Sequence, residues 1–430
     1  MVGCNLKILH TSDWHLGKKL FKVSRLPEQK LFLSWLEQAM LEQNIDALVM
    51  AGDVFDTPHP PHDALELYYQ FLEAMDKHSK KVFIIAGNHD SGRFLQAPNF
   101  FLKNKNIHVV GRFPSDNEFN PNDYVFKVEE GKNQWFIHLL PFFRSHEVLE
   151  YVQRSKLITE TEFPRMVLEK PEQLIELGIV DVMNRMIKSE YSTDEDKTKR
   201  MLVSHHLFGG FRLAGSEQSV SISGLDGLPS SLWGLPYDDL AIGHIHQTQR
   251  LREEKPRAIY PGSPIRFRFN EKREKKISIL EWNDKDIEQS FIEIPEFRPV
   301  ISLKLDQEDI KTKLASELIN YKQNYKLAGL LEIKIKATGA VSGLADEIRE
   351  ILSQVEHPWE LLSLQIEGQS AALSSSEKEH AHLITNIGGS GANLEELFKL
   401  YYKKKYPSQE KPSQQLLEDF KSLIEELERS

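Results

Sequence analysis

The sequence predicts an α/β protein with a second, smaller domain and a helical tail. Within the first 110 residues, short apolar segments alternate with longer amphipathic ones, an order that predicts a mostly parallel sheet with helices packed on it. A second group of alternating predicted strands and helices follows at 299–368. After a stretch at 370–392 rich in Ser, Gly, His and Glu, leucines recur at helical spacing. This pattern is typical of a linker followed by short helices.

Residues 1–290 contain the elements of the predicted main domain. Strands are predicted at 6–10, 47–51, 82–86, 107–110, 135–140, 201–204, 239–242, 257–260 and 277–281. Helices are predicted at 27–43 and 63–78, because apolar residues in both segments fall on one face. The segment at 145–200 is predicted to be helical and charged.

Residues 296–370 are predicted to form a small α+β domain. Its elements alternate, with strands at 300–305, 331–336 and 361–366 and helices at 309–322 and 343–355. Residues 371–392 are the predicted linker, and 393–430 contain two amphipathic helices. Because short amphipathic helices bury their leucines poorly alone, we expect this tail either to fold back on the body or to dock on another chain.

The composition indicates a globular protein of a reducing compartment. Of 430 residues, 40% are hydrophobic and 27% charged. The single Cys4 permits neither an intramolecular disulfide nor a cysteine zinc cluster. We expect no signal peptide and no membrane span, because the chain has no basic start before an apolar run and no apolar stretch of about 18 residues. These features predict a cytoplasmic protein.

Five of the predicted strands are followed by residues that bind metal ions. The segments are Asp13-Trp14-His15, Gly52-Asp53, Gly87-Asn88-His89-Asp90, Ser204-His205-His206 and Gly243-His244-Ile245-His246. In the last segment, alternation along an extended chain places both histidines on the same side. The first three strands are predicted to end at one edge of a sheet, which would bring their polar residues together.

The types of these residues indicate the metal and the chemistry. Mixed His, Asp and Asn ligands suit manganese, iron or zinc rather than calcium. Seven or eight candidate ligands exceed what one ion needs, and they fit two ions that share a bridging carboxylate in phosphoryl transfer. Taken alone, Asp13 and Asp53 can cap turns, Asn88 can form an Asx turn, and His205 can be an ordinary polar residue. Five strand-terminal motifs in one chain favour the metal site.

These five motifs together resemble the signatures of the calcineurin-like metallophosphoesterases. The resemblance implies a β-sandwich flanked by helices over 1–290. The segments 12–17, 51–57 and 260–264 are similar to those of the family's bacterial DNA-break-processing nucleases. This similarity implies a manganese-dependent enzyme that degrades duplex ends 3′→5′ and nicks hairpins, with 296–370 as a DNA-binding cap.

The resemblance also implies a role for each residue of the site. One metal ion would bind Asp13, His15 and His246, the other would bind Asn88, His205 and His244, and Asp53 would bridge them. His89 would face the scissile phosphate, and Asp90 would either orient His89 or only cap the next turn. His206 is the alternative ligand to His205. We prefer His205 because it lies directly at the strand end. Asp56 occupies the place of a histidine in archaeal and eukaryotic relatives.

Two basic clusters flank the predicted site and are candidates for contact with a phosphate backbone. The first contains Lys18, Lys19, Lys22 and Arg25, and the second contains Arg266, Arg268, Lys272, Arg273, Lys275 and Lys276. The predicted DNA contacts are Lys18, Lys19, Arg25, Arg266 and Arg268. For 272–276 a solvated charged surface is the favoured interpretation. No sequence-reading module is recognised, so we expect binding to be insensitive to base sequence.

By resemblance, the partners would be double-stranded DNA ends and hairpins and an SbcC-type coiled-coil ATPase gripped by 393–430. The assembly would be a homodimer within a heterotetramer. One alternative is a phosphatase of phosphoproteins or small phosphoesters, although those relatives carry an Arg soon after the second motif and none occurs here before Arg93. The other alternative is a scaffold that regulates the ATPase, which would not need the full ligand set.

Overall fold

The computed structural model describes most of the chain up to residue 368. The described residues are 6–115, 119–130, 133–190, 198–208, 228, 230–282, 287–319, 325–337, 343–368, 402, 412, 416 and 417. The predicted linker at 371–392 and nearly all of the predicted tail at 393–430 lie outside them.

Strands and helices alternate through the described chain. The strands are β1 (Leu6–Thr11), β2 (Lys19–Leu20), β3 (Val23–Ser24), β4 (Ala47–Ala51), β5 (Lys81–Ile85), β6 (Ile107–Val110), β7 (Val125–Glu130), β8 (Asn133–Leu140), β9 (Thr198–Ser204), β10 (Asp239–Ile242), β11 (Gln249–Arg252), β12 (Arg257–Tyr260), β13 (Lys275–Trp282), β14 (Ile287–Ile294), β15 (Val300–Asp306), β16 (Gly329–Ala337) and β17 (Trp359–Gly368). The helices are α1 (Leu26–Glu42), α2 (His62–Lys77), α3 (Gly92–Gln96), α4 (Asn99–Leu102), α5 (Ser145–Arg154), α6 (Phe163–Glu169), α7 (Pro171–Lys188), α8 (Ile310–Ile319) and α9 (Leu344–Gln354).

Two six-stranded mixed sheets form the main body. The first has the order β14-β13-β1-β4-β5-β6, with parallel pairing from β1 to β6 and antiparallel pairing of β13 with β1 and with β14. The second has the order β11-β12-β10-β9-β8-β7, with parallel pairing from β12 to β8 and antiparallel strands at both edges. The prediction of a mostly parallel first sheet therefore holds for four of its six strands.

The alternation of side chains along β1 explains why the sheets stack with helices outside. Ile8 lies in an apolar core shared with strands of the other sheet, including Ile137 and Val203. Leu9 points to the opposite face, where it shares a core with Phe32 and Leu36 of α1. Burial of each such side chain contributes about 1.5–3 kcal/mol. A third core packs α5 and α7 on the second sheet, so the predicted β-sandwich flanked by helices is confirmed.

The segment after the sandwich contains a three-stranded sheet in the order β15-β16-β17. It has its own apolar core, to which α8 and α9 contribute Leu314 and Ile348. These elements begin and end within three residues of the predicted ones. The predicted domain limits of 296 and 370 stay a prediction.

The sequence did not predict β7, β11 or β14, which lie at sheet edges. Edge strands have one unpaired side and tolerate polar residues, so their apolar pattern is weak. Within the described part of the chain, no helix combines the length and apolar character needed to cross a membrane.

Candidate active site

The polar residues after β1 and β4 are brought together by continued pairing of their loops. Asp13 N donates to Gly52 O at 3.0 Å, and His15 N donates to Asp53 O at 3.0 Å. Asp13 and Asp53 both adopt a left-handed backbone, with φ of 54°. Such a conformation is uncommon for residues other than glycine and often marks a functional site. Both side chains are almost fully buried.

One half of the cluster is built from Asp13, His15 and His246. The Nε2 atoms of the two histidines lie 3.1 Å apart, and His246 Nε2 lies 3.9 Å from Asp13 Oδ1. His244 N donates to both carboxylate oxygens of Asp13 at 3.1 Å. The loop after β10 is therefore fixed directly to the loop after β1, and the two sheets meet at this point.

The other half is built from Asn88, His205 and His244. Asn88 Oδ1 lies 3.2 Å from His205 Nε2 and 2.9 Å from His244 Nδ1. Asp53 lies between the halves, with its Oδ2 3.4 Å from His15 Nε2 and 3.3 Å from His205 Nε2. This is the position that a bridging carboxylate would take.

The spacing and chemistry of these atoms fit divalent cations. Ligands bound at about 2.1 Å in tetrahedral or octahedral geometry lie about 3.0–3.4 Å from each other, close to the separations above. Three overlapping groups have their ligand atoms within 4.8 Å of one another: Asp13, His15 and His246; His15, Asp53 and His89; and Asp13, Asp53 and His205. Buried His244 Nε2 makes no hydrogen bond with the described residues.

The electrostatics of the cluster favour the metal-binding protonation states of His15, His244 and Asp53, but not that of Asp13, whose pKa burial raises, or that of His205. Burial lowers the pKa of His15 and of His244 to about 3, which keeps both imidazoles neutral near pH 7. For Asp53, burial opposes ionisation, but His205 and His15 hold its pKa well below the usual range. For His205, burial is outweighed by Asp53 and Asp13, and the pKa rises to about 9.

The structure separates the two candidate histidines after β9. His205 Nε2 faces Asp53 and Asn88, and its Nδ1 lies 2.7 Å from Ala51 O. When one ring nitrogen donates a hydrogen bond to a carbonyl, the other ring nitrogen carries no hydrogen and is available as a metal ligand. His206 instead accepts a hydrogen bond from Phe143 N at 3.3 Å through its Nε2. The structure thus brings His205 into the cluster and turns His206 away from it.

His89 and Asp90 have separate hydrogen-bond partners. His89 N donates to Asp53 Oδ1 at 2.9 Å, and His89 Nδ1 donates to Asp56 O at 2.8 Å. Asp90 accepts backbone N–H groups at 2.9–3.1 Å, from Gly87, Val54 and Phe55. All three donors precede Asp90 in the chain, so these contacts match neither the orientation of His89 nor a cap of the next turn by Asp90. It ties together the loops after β4 and β5, and Asp56 orients His89. Burial raises the pKa of Asp90 to about 6.

Residues behind the cluster were missed in the sequence. Glu271 Oε1 lies 3.9 Å from His246 Nδ1, and Glu271 Oε2 accepts from Lys275 Nζ at 2.7 Å. Lys275 Nζ also donates to Ser263 Oγ at 2.9 Å. Both members of the ion pair are buried, so the interpretation of 272–276 as a solvated surface is wrong at Lys275. Glu271 lies in a loop and Lys275 begins β13, so the spacing of the two residues is no signal for the pair, since i, i+4 neighbours face each other only on a helix.

The five residues predicted to contact DNA differ in how far they are buried. Arg25 is buried, pairs with Glu28 and donates to Arg266 O at 2.7 Å. The Arg266 guanidinium pairs with Glu296 and is largely buried. These contacts correct the expectation that Arg25 and Arg266 face DNA, because their donors already serve protein acceptors. Lys18 is partly buried against Asp56 at 2.6 Å, whereas Lys19 and Arg268 are exposed.

Comparison with known proteins agrees with the geometry. The chain is 31% identical over 272 residues to the SbcD subunit of the nuclease SbcCD from Bacillus subtilis strain 168, covering 62% of this chain and 63% of that protein. It is 27% identical over 312 residues to the SbcD subunit from Escherichia coli K12, covering 72% and 73%. The match thus spans less than two thirds of the Bacillus protein. A family model described as calcineurin-like phosphoesterase matches residues 6–247. Because this match spans more than half of the chain, the protein belongs to the calcineurin-like phosphoesterase family.

Proposed function

We propose that this protein is a manganese-dependent DNA nuclease, acting as a 3′→5′ exonuclease on duplex ends and as an endonuclease on hairpins. The observation that carries the proposal is the cluster of metal-type ligands around Asp53, drawn from the loops of both sheets. Similarity to the SbcD subunits of SbcCD nucleases supports DNA as the substrate.

In this proposal two divalent cations bind on either side of Asp53. Asp13, His15 and His246 would hold the first, Asn88, His205 and His244 would hold the second, and Asp53 would be shared by both. When bound, such cations supply an activated water and neutralise charge on the phosphate. The chain's own contribution is to bring the ligand atoms together, since the Nε2 atoms of His15 and His246 lie 3.1 Å apart and Asn88 Oδ1 lies 2.9–3.2 Å from His244 and His205.

His89 is proposed to interact with the phosphate of the substrate rather than to bind a cation. Its Nδ1 carries a hydrogen donated to Asp56 O, so Nε2 is the ring atom that can transfer a proton or donate to a phosphate oxygen. A proton delivered from Nε2 to the leaving oxygen of the sugar would prevent that oxygen from departing as an alkoxide. His89 is half-buried, which keeps it open to substrate on one side.

The wider setting of the reaction is proposed from the similarity. Lys19 and Arg268 are exposed and are the remaining candidates for contact with DNA phosphates. The tail at 393–430 would bind an SbcC-type coiled-coil ATPase, and two copies of the protein would assemble with two copies of that partner. The proposed location is the cytoplasm.

Incubation of the purified chain with end-labelled duplex, hairpin DNA and a generic phosphomonoester tests the proposal. Each substrate is incubated with manganese, with and without the ATPase partner. Shortening of duplex from 3′ ends and nicking of hairpins are expected, with faster turnover when the partner is present. Turnover of the phosphomonoester alone would overturn the nuclease assignment and favour a phosphatase.

A further inference from the structure

One buried amide outside the ligand set holds the loop that carries His15. Gln29 lies in the first turn of α1 and is fully buried. Its Oε1 accepts from Gly17 N at 3.1 Å, and its Nε2 donates to Trp14 O at 3.0 Å and to His15 O at 2.7 Å. Both amide hydrogens and the amide oxygen are thus used on one stretch of four residues.

That stretch has a backbone that needs outside support. His15 has a φ of 44° and Gly17 a φ of 91°, so the chain enters the left-handed region twice within three residues. For a histidine this conformation is unfavourable and persists only where surrounding contacts enforce it. The 14–17 loop presents two carbonyl acceptors and one N–H donor to this side chain, and a primary amide satisfies all three because it carries two donor hydrogens and an acceptor oxygen.

The turn of helix that carries Gln29 is itself anchored. Arg25, which immediately precedes α1, forms a buried ion pair with Glu28 in the first turn of the helix. Arg25 also donates through Nη1 to Arg266 O at 2.7 Å, and Arg25 N donates to Lys18 O at 3.0 Å. The amide of Gln29 therefore acts from a fixed platform, so a displacement of the loop is opposed by the body of the protein.

We propose that Gln29 is a positioning residue for the metal site. By fixing the carbonyls of Trp14 and His15, it sets the backbone from which the His15 imidazole reaches Asp53 and His246. The inference rests on the proposed metal binding, and it assigns the preorganisation of one of the two cation positions to a residue that touches no cation. Its hydrogen bonds to Gly17, Trp14 and His15 also explain why the polar side chain of Gln29 can be fully buried.

Binding of manganese by the full chain tests this inference without any substrate. The free ion is measured by electron paramagnetic resonance for the wild type, for Gln29→Leu and for Gln29→Glu, which keeps the acceptor for Gly17 N and loses the donors. Gln38→Leu is the matched control, because Gln38 is an exposed glutamine on the same helix. Loss of an outer contact to a ligand typically weakens metal affinity about 10- to 100-fold.

The expected result is two bound ions in the wild type and in Gln38→Leu, with one of them weakened 10- to 100-fold in both Gln29 variants. Thermal unfolding in EDTA shows which variants fold, and Gln29→Glu carries the test if Gln29→Leu does not. A lowered unfolding midpoint with unchanged affinity for both ions would make Gln29 merely structural and overturn the inference. Absence of manganese binding in the wild type would instead overturn the proposed function.

Discussion

At the scale of single residues, the site depends on which atom of each imidazole faces the cluster. His89 is the most informative case, since its Nδ1 is held by Asp56 O while its ring lies 4.7 Å from that of His15. Its position permits two roles, as a ligand beside Asp53 or as a proton donor toward substrate. Removal of the ring would release a cation if His89 is a ligand, and would abolish cleavage without loss of a cation if it is a proton donor.

We expect His89→Ala to keep both manganese ions and to lose nuclease activity about 10²- to 10⁴-fold, the range for loss of a general acid. Metal stoichiometry is measured by isothermal titration and cleavage with labelled duplex. His78→Ala is the control, because His78 precedes β5 and lies at the opposite end of that strand from the site. Loss of an ion in His89→Ala would show that His89 is a ligand.

The Glu271–Lys275 pair gives a second prediction at this scale. Either Glu271→Leu or Lys275→Met leaves one buried charge without its partner, which typically costs about 3–5 kcal/mol. We expect the double variant Glu271→Leu/Lys275→Met to lose less stability than either single variant. Urea unfolding of the three variants measures the coupling. Additive losses would mean that the two charges do not stabilise each other.

The sequence allowed candidate site residues to be predicted where polar residues directly follow an apolar strand. It did not allow this where the position of a side chain depends on residues far away in the chain. The ligand candidates stand out because polar residues at the end of an apolar strand have no local structural reason. Arg25 shows the opposite case, since its position after a basic run predicted a surface residue. Its Nη1 bonds to the carbonyl of Arg266, 241 residues away, and no local pattern carries that information.

At the scale of elements, the glycines at strand ends decide how closely the loops approach. A Cβ atom added at Gly87 would lie 2.1 Å from Asp53 Oδ1 and 2.3 Å from Asp53 N. Displacement of Asp53 Oδ1 would break its hydrogen bond from His89 N, which joins the loops after β4 and β5. The glycine therefore sets the distance between two strands at the point where the proposed bridging ligand lies.

We expect Gly87→Ala to displace Asp53 and to weaken binding of both cations, since Asp53 is shared between them. Manganese titration measures the loss, and circular dichroism reports whether the fold is retained. Gly234→Ala is the matched control, because a Cβ added there meets nothing within 4 Å. Equal affinities in the two variants would contradict the close packing of these loops.

Elements were predictable in proportion to their burial. Residues of β4 are all buried, and the run Ala47–Ala51 was found with its bounds unchanged. In β14 the segment Ile287–Ile294 has mostly exposed or half-buried positions and pairs on one side only. Its apolar residues are separated by glutamates and a glutamine, so the segment lacks a clear period. Tertiary pairing with β13, rather than local preference, makes it a strand.

At the scale of the whole molecule, the formal charge of −10 confines any contact with DNA to local basic surfaces. We expect Lys19→Ala and Arg268→Ala each to weaken DNA binding equally across sequences and to reduce the salt-dependence slope by about 0.9. Fluorescence anisotropy at several salt concentrations measures both effects. Lys77→Ala is the control, because this exposed lysine pairs with Glu73 away from the site. An unchanged slope would exclude the residue as a phosphate contact.

The proposed metal site takes its ligands from both sheets, and this predicts a link between cations and global stability. The loops after β1, β4 and β5 of the first sheet carry Asp13, Asp53 and Asn88, whereas the loops after β9 and β10 of the second carry His205 and His244. A cation that binds only the folded chain at 100 times its dissociation constant adds about 2.7 kcal/mol to the free energy of unfolding. We therefore expect manganese to raise the melting temperature relative to EDTA.

The Asp53→Asn variant should lose most of this stabilisation, because it weakens the ligand that both halves share. Differential scanning fluorimetry across a manganese titration measures the shift for the wild type and for Asp53→Asn, and Gly234→Ala supplies a control that leaves the cluster intact. Identical melting curves with manganese and with EDTA would contradict a metal bridge between the sheets. A shift retained in full by Asp53→Asn would place the stabilising ion elsewhere in the molecule.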